Sequence, residues 1–462
     1  MRTETSRNLP LLGIMVIVFA ACSCAPEAGG HTDPVASVLL ALIVILAAAK
    51  IGSAVFESLG QPAVLGELIS GVLLGNLILF SPSWSFFEPL RVTSIQENWA
   101  VVIDSLARLG VIILLFEVGL ESTVRGMMKV GISSLLVAVL GVIVPFVLGF
   151  GVSWLFIQEL PSSLAAHVPA DFSLNYVHMF VGAVLCATSV GITARVFKDL
   201  GKLQTKEAQI ILGAAVIDDV LGLIVLAVVS AIITAATIGQ PLEIWALLRL
   251  IGVAMLFLGG SLALGVYLIP KIMPQLARLR TSGMMLTSAL LFAFALSYLA
   301  HSSGLAAIVG AFAAGLILEE VHFQAFREEI TVEQLVKPVA TFLVPIFFVL
   351  MGIQVRLETF ADLSVLGLAG GITLTAIIGK QICSLGVLEK GLDRLTVGVG
   401  MIPRGEVGLI FASIGKSLEV IDDATFSAIV IMVIATTLIT PPLLKITLRR
   451  WENRGIKPSQ IN

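Results

Sequence analysis

The chain has 462 residues, of which 57% are hydrophobic and only 13% charged, with a formal net charge of −3 and a mean hydropathy of +1.03. A soluble domain of ordinary composition carries about 25% charged residues, so these values exclude a water-soluble globular protein and imply a polytopic membrane protein. The charge balance also lacks the basic surplus that nucleic-acid binding needs, and no nucleic-acid partner is expected.

Residues 1–25 read as a cleavable leader, in which Arg2 and Arg7 precede an apolar run from Leu9 to Ala21, followed by small residues and Pro26. The competing reading is one more transmembrane helix. Cys22 and Cys24 could take a lipid after cleavage, although neither has a clean lipoprotein context.

Apolar runs long enough to cross a bilayer, about 20 residues each, then recur at 35–57, 61–80, 100–120, 129–157, 177–199, 206–236, 243–270, 282–300, 303–320, 337–354, 363–388, 396–417 and 423–448. The expected fold is an all-α polytopic membrane protein of about 13 transmembrane helices. Its membrane domain is 35–448, followed by a short cytoplasmic tail, 449–462. With the mature N-terminus outside, outer segments hold Arg91, Arg356 and Lys416, whereas inner segments are dense in cations such as Arg195, Lys198, Lys202 and Lys206. The positive-inside rule then puts the C-terminus in the cytoplasm, with the plasma (inner) membrane as the expected location.

The chain repeats itself. Gly66 and Gly71 open the second helix as Gly310 and Gly315 open the ninth, and residues 114–121 end the third helix as 347–354 end the tenth, setting Gly119 against Gly352. Repeat one is expected at about 35–236 and repeat two at about 282–448, joined by a linker helix, 243–270. A shift of seven helices, an odd number, makes the two six-helix repeats inverted in topology, a secondary-transporter design. The match pairs residues 187–191 with 402–408, both of which carry polar groups or helix breakers such as Pro403 in mid-span. Non-helical backbone at membrane depth must be buried in protein or line a cavity, so two crossed, broken helices are expected there.

Asp218 and Asp219 stand together inside the apolar stretch 210–226. Ionised carboxylates are costly in hydrocarbon, and such a pair points to ion or proton handling. Two adjacent carboxylates in low dielectric need a buried cation to compensate them, and Lys380, in mid-span on the eleventh helix, is the best candidate. Asp219 with Thr188, Ser189 and Glu117 would offer carboxylate, hydroxyl and freed carbonyl oxygens to a monovalent cation such as sodium, and a proton would compete for the same carboxylate. Arg404 and Glu406 are expected to compensate charge and support the broken segment rather than to touch the ion.

Glu67 and Glu121 read as capping or contact residues, and Lys50 and Arg108 as paired or snorkelling. The histidines sit mainly in or beside loops, and His322 lies in a loop rich in glutamate. Cys186 and Cys383 read as packing residues. No phosphate-binding loop of the Walker type is present, and no cofactor is expected.

Taken together, 213–223 with its two aspartates, 114–121, 187–191, Lys380 and 403–409 resemble the cation:proton antiporter-2 group of sodium/proton antiporters, over nearly all of 35–448. The resemblance implies a homodimer, a dimerisation domain beside a six-helix core domain, and an elevator-like movement. It also implies that Asp219 is the main cation and proton carrier, that Asp218 pairs with Lys380, and that exchange is electrogenic. Related potassium efflux systems usually carry a nucleotide-binding domain and one aspartate of the pair. This chain keeps both aspartates, which favours sodium, with lithium as a surrogate, over potassium. The leader is a departure from the group's pattern. A cation channel or a subunit of a proton-pumping complex are rival readings. An intramembrane prenyltransferase would need a second acidic motif that the chain lacks, so no enzyme is expected.

Overall fold

The computed structural model describes residues 34–79, 86–91, 97–121, 131–169, 172–189, 193–194, 196–197, 202, 205–239, 244–278, 281, 283–303, 305–318, 331–389 and 391–452. The expected leader, most of the tail, Gly191 and the His322 loop lie outside them. The principal helices are α1 (Pro34–Ser58), α2 (Ala63–Gly75), α3 (Asn98–Glu121), α4 (Ile132–Phe156), α5 (Asn175–Val184), α6 (Lys206–Thr237) and α7 (Ile244–Ala277). They continue as α8 (Met284–Ser302), α9 (Ala307–Ile317), α10 (Val332–Ile353), α11 (Leu363–Cys383), α12 (Arg394–Gly400), α13 (Glu406–Ser417) and α14 (Asp423–Glu452).

Among the described residues, eight helices are long and apolar enough to cross a membrane. Four of the thirteen expected spans give shorter or interrupted helices. Span 61–80 is helical only to Gly75, where the Asn76 amide donates to Val72 O and Val355 O and closes the helix end. In span 303–320 the described helix is Ala307–Ile317. Span 396–417 is two helices, α12 and α13, with a non-helical stretch at 401–405. Span 177–199 is likewise interrupted after Val184: 187–189 are non-helical, and 193–194 and 196–197 are helical again.

The chain forms two compact units, one of residues up to Val111 with Ala340–Ala361, the other of Ile112–Val339 with Asp362 onward. Each unit draws on both sequence repeats, because α3 and α10 each contribute to both.

In the first unit, helices approach at glycines until backbone meets backbone. A Cβ on Gly66 would lie 2.1 Å from Gly52 O, one on Gly71 2.1 Å from Val349 O, and one on Gly352 2.1 Å from Leu68 O. On the loop side Arg91, fully buried, pairs with Glu88 at 3.0 Å and Glu358 at 2.6 Å.

The second unit repeats this pattern at the matching positions of the other repeat. Gly310 meets Leu296 O and Ser297 N as Gly66 meets Gly52 O and Ser53 N, and Gly315 meets Phe116 O and Gly119 as Gly71 meets Val349 O and Gly352. The same kind of glycine contact thus recurs inside each unit. One pair has diverged. Ser53 donates to the buried Glu67 at 3.1 Å, whereas Ala311 stands at the position of Glu67 in the second repeat and the hydroxyl of Ser297 is buried with no partner among the described residues. Glu67 is therefore an interior hydrogen-bonding residue. Arg108 pairs with Asp104 at 2.6 Å on an exposed face.

Gly352→Ala should abolish recovery of folded, monodisperse protein, because its Cβ would meet backbone that cannot yield. Gly370→Ala, on the open face of α11 with nothing within 4 Å, should leave thermal stability in detergent equal or raise it by up to about 1 kcal/mol through helix propensity.

Candidate functional site

The site lies in the second unit and is assembled by α4, α5, α6, α11, α12, α13 and α14. The Asp218 carboxylate and the Lys380 ammonium are both completely inaccessible to solvent, with Lys380 Nζ 3.0 Å from Asp218 Oδ1 and 3.1 Å from Oδ2. The third partner of the ammonium is Gly141 O on α4, at 2.6 Å. Gly141 permits this approach, since a Cβ there would stand 3.2 Å from Nζ and 3.4 Å from Asp218 Oδ1. Lys380 is in the last turn of α11 rather than at its middle, and its own carbonyl accepts from Cys383 Sγ at 2.7 Å.

Asp219 follows on the same helix, rotated by about 100°, and is only partly buried where Asp218 is fully buried. The two carboxylates therefore occupy different environments. One is fully enclosed against a lysine, and the other is part-buried, with its Oδ1 enclosed.

The two non-helical stretches meet each other directly. Ser189 N donates to Pro403 O at 2.8 Å, Thr193 Oγ1 to Gly400 O at 2.6 Å, and Arg404 Nη1 to Ala187 O. As the partner numbers rise on one stretch they fall on the other, so the segments run antiparallel where they cross. These bonds satisfy part of the backbone freed by the breaks, as burial at membrane depth demands. The Thr188 hydroxyl stands beside the Asp218 carboxylate without hydrogen-bond geometry to any described group. Arg404 is fully buried, its charge acts on Asp218 across the site, and its Nε and Nη2 have no hydrogen-bond partner among the described residues.

The structure therefore brings together Asp218, Lys380, Thr188, Ser189 and Arg404, with Asp219 one residue away. Glu117 is part-buried on α3 between Phe116 and Gly119, the residues that receive Gly315. Glu406 opens α13, and its side chain lies outside what is described. An apolar cluster of α4, α6, α11, α12 and α14 residues, including Val137, Ala215, Cys383, Val397, Met401 and Leu444, fills the side of the site toward the α6 N-terminus.

Sequence reasoning missed three parts of this arrangement. Gly141 gave no signal in an apolar helix. His178 is not a loop residue but a buried one on α5, its Nδ1 2.9 Å from Ser153 Oγ and its ring edge-on to Phe150. Thr436 and Thr437 on α14 hold the backbone of Arg404.

Comparison with known proteins follows the same lines. The family described as sodium/hydrogen exchanger, transmembrane, matches residues 39–450. The chain is 40% identical over 436 residues to the high-affinity Na(+)/H(+) antiporter NhaS3 of Synechocystis sp., covering 89% of each chain. It is 34% identical over 411 residues to the Na(+)/H(+)-K(+) antiporter GerN of Bacillus cereus, covering 88% of this chain and 95% of that one. In three dimensions it is similar to the sodium proton antiporter MjNhaP1 from Methanocaldococcus jannaschii at pH 8, with a TM-score of 0.60 and 15% identity over 91% of this chain and 100% of that one. At that identity the likeness is one of fold.

Removing one partner of a buried ion pair leaves an uncompensated charge and costs about 3–5 kcal/mol, whereas removing both is close to neutral. Lys380→Met should accordingly lower the melting transition sharply in detergent, and the double variant Asp218→Asn with Lys380→Met should recover most of the loss.

Proposed function

We propose that this chain, which belongs to the sodium/hydrogen exchanger family, is a multi-pass membrane protein that exchanges sodium or lithium for protons through a site centred on Asp219. The observation that carries the reading is the division of labour between neighbours. Asp218 is sealed at 3.0 Å from Lys380, while Asp219, its neighbour on α6, is only part-buried, and two non-helical segments cross in the same unit.

Asp219 would hold the cation with oxygens of Thr188 and Ser189, with Glu117 as a further carboxylate, and would take up a proton in its place. Hard monovalent cations suit such all-oxygen surroundings. Lys380 and Arg404 hold the local charge near neutrality when both aspartates are ionised, with Glu406 as a further charge at the start of α13. A proton or a sodium ion on Asp219 changes that charge equally, and this equivalence lets one displace the other. Release of Asp218 from Lys380 and its protonation would move a second proton and make exchange electrogenic.

The apolar cluster on one side of the site supplies the closed gate that alternating access requires. The distribution of lysine and arginine makes that side, and the C-terminus, cytoplasmic. The repeats at 35–236 and 282–448, an elevator-like movement of the core and a homodimer complete the proposal, together with a cleaved leader at 1–25. The site is asked to bind and release ions rather than to break covalent bonds, so we assign no enzymatic role. Potassium is the second reading, because one relative is named as a Na(+)/H(+)-K(+) antiporter.

Purified protein in proteoliposomes should move protons when sodium or lithium is supplied, and Asp219→Asn should reduce this to the level of protein-free vesicles. The sodium concentration for half-maximal exchange should rise as pH falls, approaching about tenfold per pH unit where one proton competes with one cation. Exchange driven by potassium alone would transfer the same mechanism to that ion. Conductance without countertransport would overturn the exchanger reading.

A further inference from the structure

Arg404 sits in the non-helical stretch between α12 and α13, where neither helix can hold its backbone. Both of its main-chain groups are nevertheless satisfied, and by adjacent residues of one other helix. Arg404 N donates to Thr436 Oγ1 at 3.3 Å, and Thr437 Oγ1 donates to Arg404 O at 2.6 Å. Thr436 and Thr437 are buried in the interior of α14. Thr436 also donates to Met432 O at 2.8 Å, so its hydroxyl hydrogen is directed into its own helix and a lone pair is left to accept from Arg404. The two hydroxyls thus play opposite roles, one accepting and one donating, as the N–H and C=O of a single residue require.

The far end of α13 is tied to the same helix. Lys416 pairs with Asp423 at 2.9 Å, with its ammonium 4.9 Å from the centre of the Phe426 ring. The second half of the broken helix is therefore fastened to α14 at both ends.

We infer that Thr436 and Thr437 are positioning residues for the ion site. By clamping the backbone of Arg404 they aim its guanidinium at Ala187 O, and so fix residues 187–189, whose Thr188 and Ser189 border the carboxylates. Neither threonine touches the ion, and each acts through Arg404 and the unwound chain. A consequence is that α14 must travel with α13 in any conformational change that preserves the site. The inference rests on the exchanger reading for its transport readout, but not for its structural one.

The test compares alanine with serine at each position, a pair that differs only in the hydroxyl. In proteoliposomes, Thr436→Ala and Thr437→Ala should each raise the sodium concentration for half-maximal exchange about five- to tenfold, the ratio corresponding to loss of one buried hydrogen bond. The maximal rate should be largely retained. Thr436→Ser and Thr437→Ser should match the parent chain, as should Thr440→Val, whose hydroxyl donates to Thr436 O within α14.

A second readout needs no transport. With Cys22, Cys24 and Cys383 replaced by serine, Cys186, which precedes Ala187 and is buried, should react with a membrane-permeant maleimide faster in the alanine variants and at the parent rate in the serine variants. Should the alanine variants not reconstitute, Thr436→Val, which keeps the branched shape, replaces them in both assays. Parent half-maximal concentrations and parent labelling rates in the hydroxyl-free variants would overturn the inference. If the parent chain shows no exchange, the exchanger reading fails while the labelling still decides the clamp.

Discussion

Two opposite charges with no access to water organise the second unit. Asp218 and Lys380 cannot be separated without stranding a charge in an apolar interior, and among the described residues Lys380 has one further partner, the carbonyl of Gly141. Three helices are thereby registered on one ammonium group. α4 must present a residue without a side chain, α6 must present Asp218, and α11 must end just beyond Lys380. The rotation of α6 that points Asp218 at the lysine also decides where its neighbour points. Asp219 owes its different exposure to the same constraint, since consecutive residues on a helix cannot share a face.

The broken helices impose a second requirement. Every N–H and C=O released by a break must find a partner inside the protein, and the structure finds them by crossing the two breaks, with Ser189 N on Pro403 O and Arg404 on Ala187 O. The crossing does not satisfy Arg404's own backbone. α14 does, and its threonines therefore belong to the architecture of the site even though they are distant in sequence from every charged residue in it.

What was legible in the sequence divides along physical lines. The charged members Asp218, Lys380 and Arg404 were legible because each is expensive in hydrocarbon and stands out from apolar neighbours. The breaks at 187–189 and 401–405 were legible because proline, glycine and hydroxyl residues weaken a helix locally. The glycine pattern was legible because close helix packing tolerates only glycine at Gly66, Gly71, Gly310 and Gly315, and the two pairs keep the same five-residue spacing. Gly141 serves the same pairing but is one glycine among 42, and nothing local distinguishes it. Thr436 and Thr437 resemble the many membrane threonines that bond to their own helix, as Thr440 does. Their role depends on a partner that only folding brings near. The helix at 61–80 ends as an α-helix at Gly75, before the hydropathy does.

The duplication also explains why the site can be asymmetric. The two units use the same glycine contacts at matching positions, so the scaffold can be conserved between repeats while the groups it carries diverge. At the breaks the divergence is chemical: the first repeat contributes the neutral oxygens of Thr188 and Ser189, and the second the fixed cation Arg404. Arg404 reaches Ala187 O, next to Thr188, and where its guanidinium sits depends on how firmly its backbone is held. A positive charge beside a cation site is tolerable only if it is kept in place, and the residue whose main chain is clamped on both sides is the one that carries that charge.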